Sequence, residues 1–443
     1  MSAYQFNLPP PVATEIAERV GTPCYVYSQD RITQNLHRIK SAFGVDGGAR
    51  SARGSPSLWY AMKANSNFEL LRLLNGAGMA FDVVSVGEMQ RALRIGAHPN
   101  NIIFAGVGKR DDELIAALTA HIGWVNVESA QELQVLSDLA LARHTKQRVA
   151  LRLNPGVDAH THAYLTTGAT KSKFGIEVSE ALWLIAQRGR YPGVSIEGLH
   201  FHLGSMVNEA EPYVAAMKIA LNVVTLARAN GANITTLDIG GGFGIAYQPD
   251  GDSADLEAIA NAVVPLAREA GVHLHLEPGR YIVGDAGVLL TEVLYTKTNG
   301  GTHYAVVDAA MNDLIRPALY GARHAITRIE NEEWRMKKER ESDFLNYEVV
   351  GPICESGDFL AHEAHLPTLT RGDFLLVHHA GAYGMSMASN YNTRPRAAEV
   401  LLTPSPVPMG DGSEGIGHRR GGGWRVIRPR ENLQSLFAAE MGY

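Results

Sequence analysis

The sequence predicts an α/β protein that combines a (β/α)8 barrel of the TIM type with a second, β-rich domain resembling a β-sandwich or barrel. Two observations predict this fold class. Eight strand-length apolar runs alternate with segments of helical periodicity, and polar residues follow each run. Parallel strands that are buried on both faces read as continuous apolar runs, so this alternation is typical of a parallel sheet.

The eight apolar runs lie in the first two thirds of the chain. They are Leu58–Met62, Ala80–Val84, Ile102–Ala105, Trp124–Val127, Val149–Leu153, Ser195–Phe201, Thr236–Ile239 and Val272–Leu276. Helical spacing between them is clearest in Phe68–Leu74, Glu88–Ile95, Asp112–Leu118 and Ala130–Leu139. A doubly wound open sheet is the alternative. The barrel is favoured because Lys63, His202 and Glu277 follow three of the runs, and catalytic groups of a barrel collect at the carboxyl ends of its strands.

The rhythm changes after Arg280, where strand-like segments follow one another with few helices between them. These segments are Gly287–Lys297, His303–Asp308, Tyr347–Gly351 and Asp373–His378. We therefore predict three parts: an N-terminal segment, 1–36, that joins the β domain through Pro23–Tyr27, a barrel, 37–283, and a β domain, 284–443. Two surface insertions are predicted, at Glu330–Asp343 and Pro404–Gly423.

Composition favours small-molecule chemistry. The chain is 45% hydrophobic, carries a formal net charge of -6 and contains no long run of Lys or Arg, so we expect neither a nucleic-acid nor a membrane partner. Its two cysteines are too few for a disulfide framework and indicate a reducing compartment. Prolines at positions 9, 10 and 11 and the acidic Glu15 and Glu18 interrupt the apolar segment that a signal peptide needs. We therefore expect a cytoplasmic enzyme.

Lys63 lies at the end of the first apolar run, where an unsolvated ammonium group would be costly. A desolvated lysine loses basicity and becomes nucleophilic toward an aldehyde. The alternative is a surface lysine whose side chain extends to solvent.

Two motifs after the last two runs suit an anionic ligand. Gly240–Gly242 follows one run, and consecutive glycines let backbone N–H groups approach a phosphate without hindrance from Cβ. A tight turn is the alternative. Glu277–Arg280 follows the next run and is either a structural salt bridge or a site in which Glu277 faces a pyridine nitrogen while Arg280 meets an anionic group.

His200 and His202 alternate along one strand, so their side chains point the same way. They are compatible with a metal site, with stacking of one imidazole on an aromatic ring, or with packing. No cysteine or carboxylate trio accompanies them at strand spacing, so a metal ranks lowest and we predict none. In the second domain, Cys354 lies in a polar, glycine-bounded turn, which favours a reactive thiol over a small buried hydrophobe.

Together these motifs resemble the alanine-racemase-like, fold-type III enzymes that depend on pyridoxal 5'-phosphate, and most closely the diaminopimelate decarboxylases. The resemblance extends over nearly the whole chain, and its specificity comes from the order and spacing of the motifs. The matching stretches are Tyr60–Asn65, Phe81–Glu88, Thr167–Gly175, Gly198–Ser205, Asp238–Phe243, Glu277–Arg280, Met311–Tyr320, Gly351–Asp358 and Gly381–Tyr383.

The resemblance implies a cofactor site on the barrel and a substrate site that draws on the second domain. Lys63, Cys354 and His202 would be catalytic, with Lys63 carrying the cofactor, His202 stacking on its ring and Cys354 donating a proton. The implied cofactor-binding residues are Lys63, Asp82, His202, Ser205, Gly240, Gly241, Gly242, Glu277, Pro278, Gly279, Arg280 and Tyr383. The implied substrate-binding residues are Arg280, Arg316, Tyr320, Glu355 and Tyr383.

The implied activity is decarboxylation of meso-2,6-diaminopimelate to L-lysine and CO2, the last step of lysine biosynthesis, in a homodimer with shared active sites. A racemase of this class typically places an arginine at the pyridine nitrogen, whereas Glu277 favours decarboxylation. Arg316 suits a substrate with a second carboxylate. The alternatives are a decarboxylase of another basic amino acid, of the ornithine or arginine type, and a non-catalytic regulator that binds the cofactor.

Overall fold

The structure is a computed structural model that describes residues 6, 8–45, 55–157, 172–248, 251–329, 343–404 and 423–441. The predicted surface insertions lie outside the described residues, except for Asp343, Pro404 and Gly423, and so does part of the stretch Thr167–Gly175. The chain forms two compact units. One comprises Leu36–Ile245 and Asp252–Tyr281, and the other comprises Met1–Asn35, Ala246–Gly251 and Ile282–Tyr443.

The described chain begins with three elements: helix α1, Pro10–Val20, strand β1, Cys24–Ser28, and helix α2, Gln29–Phe43. Helix α1 has proline in its first turn, where the missing N–H group would have had no helical partner. It ends at Gly21, whose φ of 81° is readily adopted only without a Cβ. Its buried face packs in the core of the second unit.

A closed ring of eight parallel strands forms the first unit. The strands that follow β1 are β2 Ser57–Ala61, β3 Ala80–Val83, β4 Ile102–Phe104, β5 Trp124–Val127, β6 Gln147–Asn154, the short β7 Ile176–Glu177, β8 Val194–His200, β9 Thr236–Asp238 and β10 His273–Leu276. Their order is β5-β4-β3-β2-β10-β9-β8-β6, with β7 added to β6, and pairing of β5 with β6 closes the ring. The predicted barrel is therefore confirmed over the open sheet, and each predicted run overlaps one ring strand.

A helix follows each ring strand, and all but the last of these helices lead to the next ring strand. They are α3 Phe68–Gly76, α4 Val86–Arg94, α5 Asp111–Ala120, α6 Ala130–Leu141, α7 Val178–Ala186, α8 Glu211–Ala229, α9 Leu256–Glu269 and α10 Arg280–Val283. Side-chain caps start several of them: Ser85 and Ser129 each accept a hydrogen bond from the amide of the glutamate three residues later. These caps fix where the chain leaves a strand end and enters a helix, and thus where the polar residues between them lie.

The barrel interior changes from apolar to polar along the strands. Trp59, Ala80, Ile103, Trp124 and Ala150 form one buried apolar cluster. Because side chains alternate along a strand, the residues two positions later also face the interior. On three of these strands those residues are Asp82, Asn126 and Arg152, all buried. The carboxyl ends of the strands therefore surround a polar layer that rests on an apolar base.

The second unit contains a mixed nine-stranded sheet. Its further elements are β11 Gly287–Asn299, β12 Thr302–Val307, α11 Arg316–Tyr320, β13 Ile326–Arg328, β14 Phe344–Val350, β15 Phe359–Pro367, β16 Phe374–Val377, β17 Ala398–Leu402, β18 Trp424–Arg428 and α12 Leu433–Met441. The main order is β15-β14-β12-β11-β1-β17-β18, and β16 joins β11 to β13. The predicted β-rich second domain is confirmed. Within the described ranges, no helix has the length and apolarity needed to cross a membrane.

Candidate active site

Lys63 lies in a short 3-10 turn, Met62–Ala64, that directly follows β2. Its neighbours Met62 and Ala64 are buried, whereas Lys63 itself is exposed. A side chain of β2 holds the residue after this turn: the Tyr60 hydroxyl donates a hydrogen bond to the Asn65 carbonyl at 2.9 Å. A strand end thus presents an accessible amine on a rigid backbone.

The charge of Lys63 acts on the polar interior of the barrel. Burial raises the pKa of Asp82 and also that of Glu88, while the Lys63 ammonium opposes the rise in both. The same ammonium contributes to lowering the pKa of His202. Lys63 is therefore exposed without being remote from the carboxylates and imidazoles of the barrel.

Glu277 is the ionised carboxylate of this interior. Its side chain is buried, and burial alone would raise its pKa, but the charge of His200 and a hydrogen bond from it hold the pKa of Glu277 below the usual range. His200 Nε2 lies 3.2 Å from one carboxylate oxygen, and the Asn126 amide donates to the other at 3.4 Å. Two partners on one carboxylate stabilise its charge.

Two other buried carboxyls, Asp82 and Asp238, have pKa values shifted in the opposite direction to that of Glu277. Burial, followed by the charge of Glu277, raises the pKa of Asp82 and of Asp238 well above the ordinary value. One oxygen of each has no hydrogen-bond partner among the described residues, so less stabilises a negative charge on these carboxyls than on Glu277. Ligand atoms of His200, Asp238 and Glu277 all lie within 4.8 Å of one another, so the barrel creates a cluster that local spacing does not reveal.

The glycine loop after β9 packs against His202 and Glu277. A Cβ on Gly240 would lie 2.6 Å from His202 Nδ1, and one on Gly241 would lie 2.1 Å from the Glu277 carbonyl oxygen. The Gly240 amide donates to Asp238 at 2.8 Å, and the Gly241 amide donates to His202 Nδ1 at 3.3 Å. These glycines therefore permit a close approach, and an anion beside them would depend on other donors as well.

His202 is held as a neutral imidazole. Because its Nδ1 accepts the hydrogen bond from Gly241, that nitrogen carries no proton. Burial, and then the charge of Lys63, lowers the pKa of His202 well below its usual value. A neutral ring with a fixed tautomer can stack on an aromatic ligand without adding a charge.

Arg280 supplies a buried cation at the end of β10. Its Nη2 and Nε lie 2.9 and 3.2 Å from the Ser205 hydroxyl oxygen. The loop before it lies against the Lys63 turn, since the Ala61 amide donates to the Pro278 carbonyl and a Cβ on Gly279 would lie 3.1 Å from that of Ala61. Predicted residues from four strand ends are thus brought together in one unit.

These donors fit a phosphorylated pyridine aldehyde. An accessible amine at Lys63 suits the aldehyde, and the ionised Glu277 suits a protonated ring nitrogen. Arg280 and the Ser205 hydroxyl suit a phosphate. Gly240 and Gly241, where any Cβ would clash, let the loop lie directly against His202 and the backbone of Glu277, the residues that would meet the ring.

The second unit contains the predicted substrate-binding residues. Arg316 begins α11 and is 3% exposed. Its Nη1 donates to the Tyr247 hydroxyl at 2.8 Å and lies 3.1 Å from His324 Nε2. His324 Nδ1 lies 2.8 Å from the His378 carbonyl, so Nδ1 carries the proton and Nε2 accepts from Arg316. Tyr320, at the end of the same helix, is half-buried.

Cys354 and Glu355 lie on an exposed loop of the second unit. The loop is ordered by the buried Asp358, whose carboxylate accepts hydrogen bonds from the amides of Ile353 and Met311, both at 2.7 Å. Because Cys354 is exposed, the interpretation as a small buried hydrophobe does not apply to it. Cys24 is the buried thiol, and burial raises its pKa to about 12.

Tyr383 is half-buried and has a φ of 56°. A left-handed conformation is uncommon for a tyrosine and persists only where the surroundings fix it. Gly381, two residues before it, packs closely against the backbone, since a Cβ there would lie 1.9 Å from the Val283 carbonyl oxygen. The backbone thus determines where the Tyr383 ring is presented.

Several residues of these clusters were not identified from the sequence. Asn126 and Asp238 contact the core of the barrel site, and Tyr247 and His324 contact Arg316. Alternation along β5 and β9 would have placed the first two on the inner face, but the sequence does not show which inward residues meet. No sequence signal connects Tyr247 to Arg316, because 69 positions separate them.

Comparison with known proteins identifies the family. The model of the pyridoxal-dependent decarboxylase, pyridoxal binding domain, matches residues 29–284. Diaminopimelate decarboxylase of Neisseria meningitidis serogroup A is 41% identical over 426 residues, 96% of each chain, and that of Aquifex aeolicus is 40% identical over 89% of this chain and 90% of the relative. This chain belongs to the diaminopimelate decarboxylase family. The diaminopimelate decarboxylase from Helicobacter pylori, solved in complex with L-lysine, has a TM-score of 0.84 and 35% identity, over 97% of this chain and 99% of that one.

Membership in the diaminopimelate decarboxylase family confirms the predicted family and the predicted pyridoxal cofactor. The matched region contains the whole barrel, including Lys63 and Glu277. The family match extends to the second unit through the full-length relatives. The roles of individual residues stay predictions.

Proposed function

We propose that this diaminopimelate decarboxylase family member removes one carboxylate of meso-2,6-diaminopimelate to give L-lysine and CO2, the last step of lysine biosynthesis. The observation that carries the proposal is the buried, ionised Glu277, held by His200 and Asn126 beside Lys63. A carboxylate at this place favours a protonated ring nitrogen, and so favours full withdrawal of electrons from a breaking C–C bond. A cationic partner, as in a racemase, would disfavour it.

The barrel residues hold and tune the cofactor. Pyridoxal phosphate, when bound, supplies the electron sink for decarboxylation. Lys63 would hold it through Nζ, Glu277 would keep its ring nitrogen protonated, and Asp82 would lie beside Glu277 as a neutral carboxyl. His202 would stack on the ring as a neutral imidazole.

The phosphate end would be bound by cationic and hydroxyl donors around the glycine loop. Arg280 and Ser205 already share a hydrogen bond, so both are oriented in the same place. The remaining proposed contacts of the cofactor come from Gly240, Gly241, Gly242, Pro278, Gly279 and Tyr383.

The second unit would recognise the distal end of the substrate and supply a proton. Arg316, with Tyr320 and Arg280, would bind the distal carboxylate, and Glu355, with Tyr383, would bind the distal amino group. Arg316 is supported in this role by two neutral partners, Tyr247 and His324, which orient the guanidinium without cancelling its charge. Cys354 would transfer its thiol proton to the carbon that loses CO2.

A substrate panel tests the function. Purified protein loaded with pyridoxal phosphate is given meso-diaminopimelate, ornithine or arginine, and CO2 release is measured for each. We expect release from diaminopimelate, with L-lysine as the product. Release from ornithine or arginine alone would assign another decarboxylase activity, and release from none would favour a cofactor-binding regulator.

We further propose a cytoplasmic homodimer in which Cys354 and Glu355 of one subunit complete the site of the other. Supporting this arrangement, these side chains are exposed on their own chain. Complementation tests it: when Lys63→Ala and Cys354→Ala proteins are mixed and allowed to exchange subunits, about a quarter of the wild-type activity should return, since half the dimers then contain one intact site. Activity that stays at the level of the separate variants would contradict shared sites.

A further inference from the structure

The loop that carries Cys354 and Glu355 has two exposed side chains whose positions matter for the proposed function. An exposed side chain samples several rotamers unless a partner holds it, and fixing it costs conformational entropy. Asp358 orders the loop at its ends, through Ile353 and Met311. Its own amide also donates to the Glu355 carbonyl at 3.1 Å, which fixes the backbone there but not the Glu355 side chain or the Cys354 end of the loop. Those two parts are placed by other contacts.

A second segment, Ser389–Arg394, supplies those contacts. The Asn392 side-chain carbonyl accepts a hydrogen bond from the Cys354 amide at 2.9 Å. The neighbouring Tyr391 hydroxyl donates to a carboxylate oxygen of Glu355 at 2.8 Å. Two adjacent residues of this segment therefore hold two adjacent residues of the loop, one through the backbone and one through the side chain.

The segment itself is anchored to the rest of the second unit through its first two residues. The Ser389 amide donates to the Asn312 carbonyl at 2.9 Å, and the Asn390 side-chain amide donates to Glu431 at 2.8 Å. Asn392 has a φ of 54°, a left-handed conformation that asparagine tolerates better than most residues. This conformation turns the chain so that Tyr391 and Asn392 can both reach the loop.

We propose that Asn392 and Tyr391 are positioning residues for decarboxylation: Asn392 sets where the Cys354 thiol is delivered, and Tyr391 sets where the Glu355 carboxylate meets the substrate's distal ammonium. The inference rests on the proposed function of Cys354 and Glu355. Neither positioning residue needs to touch the substrate. Asn392 acts on the step that Cys354 performs, and Tyr391 acts on binding.

Asn392 is tested by a pair of variants that separate its acceptor from its backbone conformation. Asn392→Gly keeps the left-handed conformation but removes the acceptor, whereas Asn392→Asp keeps an oxygen in place. For Asn392→Gly, we expect kcat to fall about tenfold with KM nearly unchanged, a loss typical of one misplaced hydrogen bond. Asn392→Asp should restore most of the rate. Asn346→Gly, at an exposed asparagine of β14, is the matched control.

The Cys354 contact also has a readout that needs no activity. The Cys354 amide is protected from hydrogen exchange by Asn392, so exchange at this amide should be faster in Asn392→Gly than in wild type or Asn392→Asp. Faster exchange with an unchanged kcat would overturn the positioning role. If wild type releases no CO2 from diaminopimelate, the proposed function fails, and exchange still reports whether the loop contact exists.

Tyr391 is tested by a double-mutant cycle with Glu355. Tyr391→Phe removes only the hydroxyl and should raise KM for diaminopimelate about fivefold while leaving kcat within about twofold. In Glu355→Gln, the same change should have a much smaller effect, because the charged acceptor is already gone. Independent effects in the two backgrounds would contradict the inference. Tyr295→Phe, at an exposed tyrosine of β11, is the control.

Discussion

The buried barrel cluster and the exposed loop of the second unit differ in what determines the properties of their functional side chains. In the barrel, Glu277, Asp238 and His202 are removed from water, and burial together with neighbouring charges shifts their pKa values. On the loop, Cys354 and Glu355 are exposed; the Cys354 amide donates a hydrogen bond to Asn392, and Glu355 accepts one from Tyr391. Ionisation is set by the surroundings in the first region, and position is set by a few contacts in the second.

The difference predicts different responses to substitution. Removing a charge from a buried cluster changes the protonation of every neighbour, because the groups interact strongly in a medium of low polarity. Removing an exposed group changes only what that group contacts. Substitutions in the barrel should therefore affect cofactor binding, spectrum and rate together, whereas substitutions on the loop should change the rate or the KM for the substrate and leave cofactor binding and spectrum as in wild type.

The largest effect is expected for Lys63→Ala. The variant should lose the visible absorbance of lysine-bound cofactor, and its CO2 release should fall to background, since no other residue can hold the aldehyde in the same way. Absorbance spectra and single-turnover assays measure both. Lys297→Ala, at an exposed lysine of β11, should retain wild-type behaviour. A Lys63→Ala protein with undiminished turnover would refute the proposed site.

Glu277→Gln should lower kcat by about 10²- to 10³-fold, the loss expected when one preorganised charge is removed from a buried site. The matched variant is Asp82→Asn, which replaces a carboxyl whose pKa burial and the charge of Glu277 raise, and which should cost far less. Steady-state kinetics on both variants measure the ratio. Equal losses of kcat in the two variants would mean that the negative charge of Glu277 does not contribute to the rate. The proposed role of charge in the barrel cluster would then be wrong.

Cys354→Ala should lower kcat by about 10²-fold, which is the usual contribution of a positioned general acid. The cofactor spectrum and the unfolding midpoint should remain those of wild type, because the exposed thiol supports neither. Ser356→Ala, at the exposed serine two residues later, is the control. A changed cofactor spectrum in Cys354→Ala would show that a substitution on the loop also alters the cofactor site of the barrel.

A buried carboxyl in the second unit is expected to affect stability and not the rate, which adds a buried group of the second unit to the comparison. Burial raises the pKa of Asp313 to about 7, well above that of the unfolded chain. A raised pKa contributes stability that is complete below about pH 4 and is lost as pH rises toward 7, at no more than about 1.4 kcal/mol per pH unit. Unfolding by denaturant between these pH values should show this loss in wild type and not in Asp313→Asn. Parallel pH profiles for the two proteins would contradict the shift.

Much of the fold could be predicted from the sequence because local patterns determine the elements. Trp124–Val127 is an apolar run of strand length and is β5 at the predicted bounds. The four predicted helices end within two residues of those in the structure, since serine caps and apolar spacing mark them. The sequence left two arrangements open, a closed barrel and a doubly wound open sheet. The pairing of β5 with β6 shows that the ring is closed.

The candidate site could be predicted less completely. Lys63, Glu277 and the glycine loop carry motifs that a sequence displays, and the barrel brings them together as their positions at strand ends imply. Asn126 and His324 carry no motif. Their roles depend on which side chain lies opposite them, and that is fixed by packing between strands far apart in the chain.

The sequence by itself determined the alternating elements, the order of the motifs and the chemical types available at each strand end, because these depend on neighbouring residues and on the period of each element. Only the tertiary structure decided which carboxyl is charged. Glu277, Asp238 and Asp82 are the same chemical group on three strands, and their protonation follows from how deeply each is buried and whether His200 and Asn126 lie against it. Burial and proximity are properties of the closed ring, which no local stretch of the chain contains.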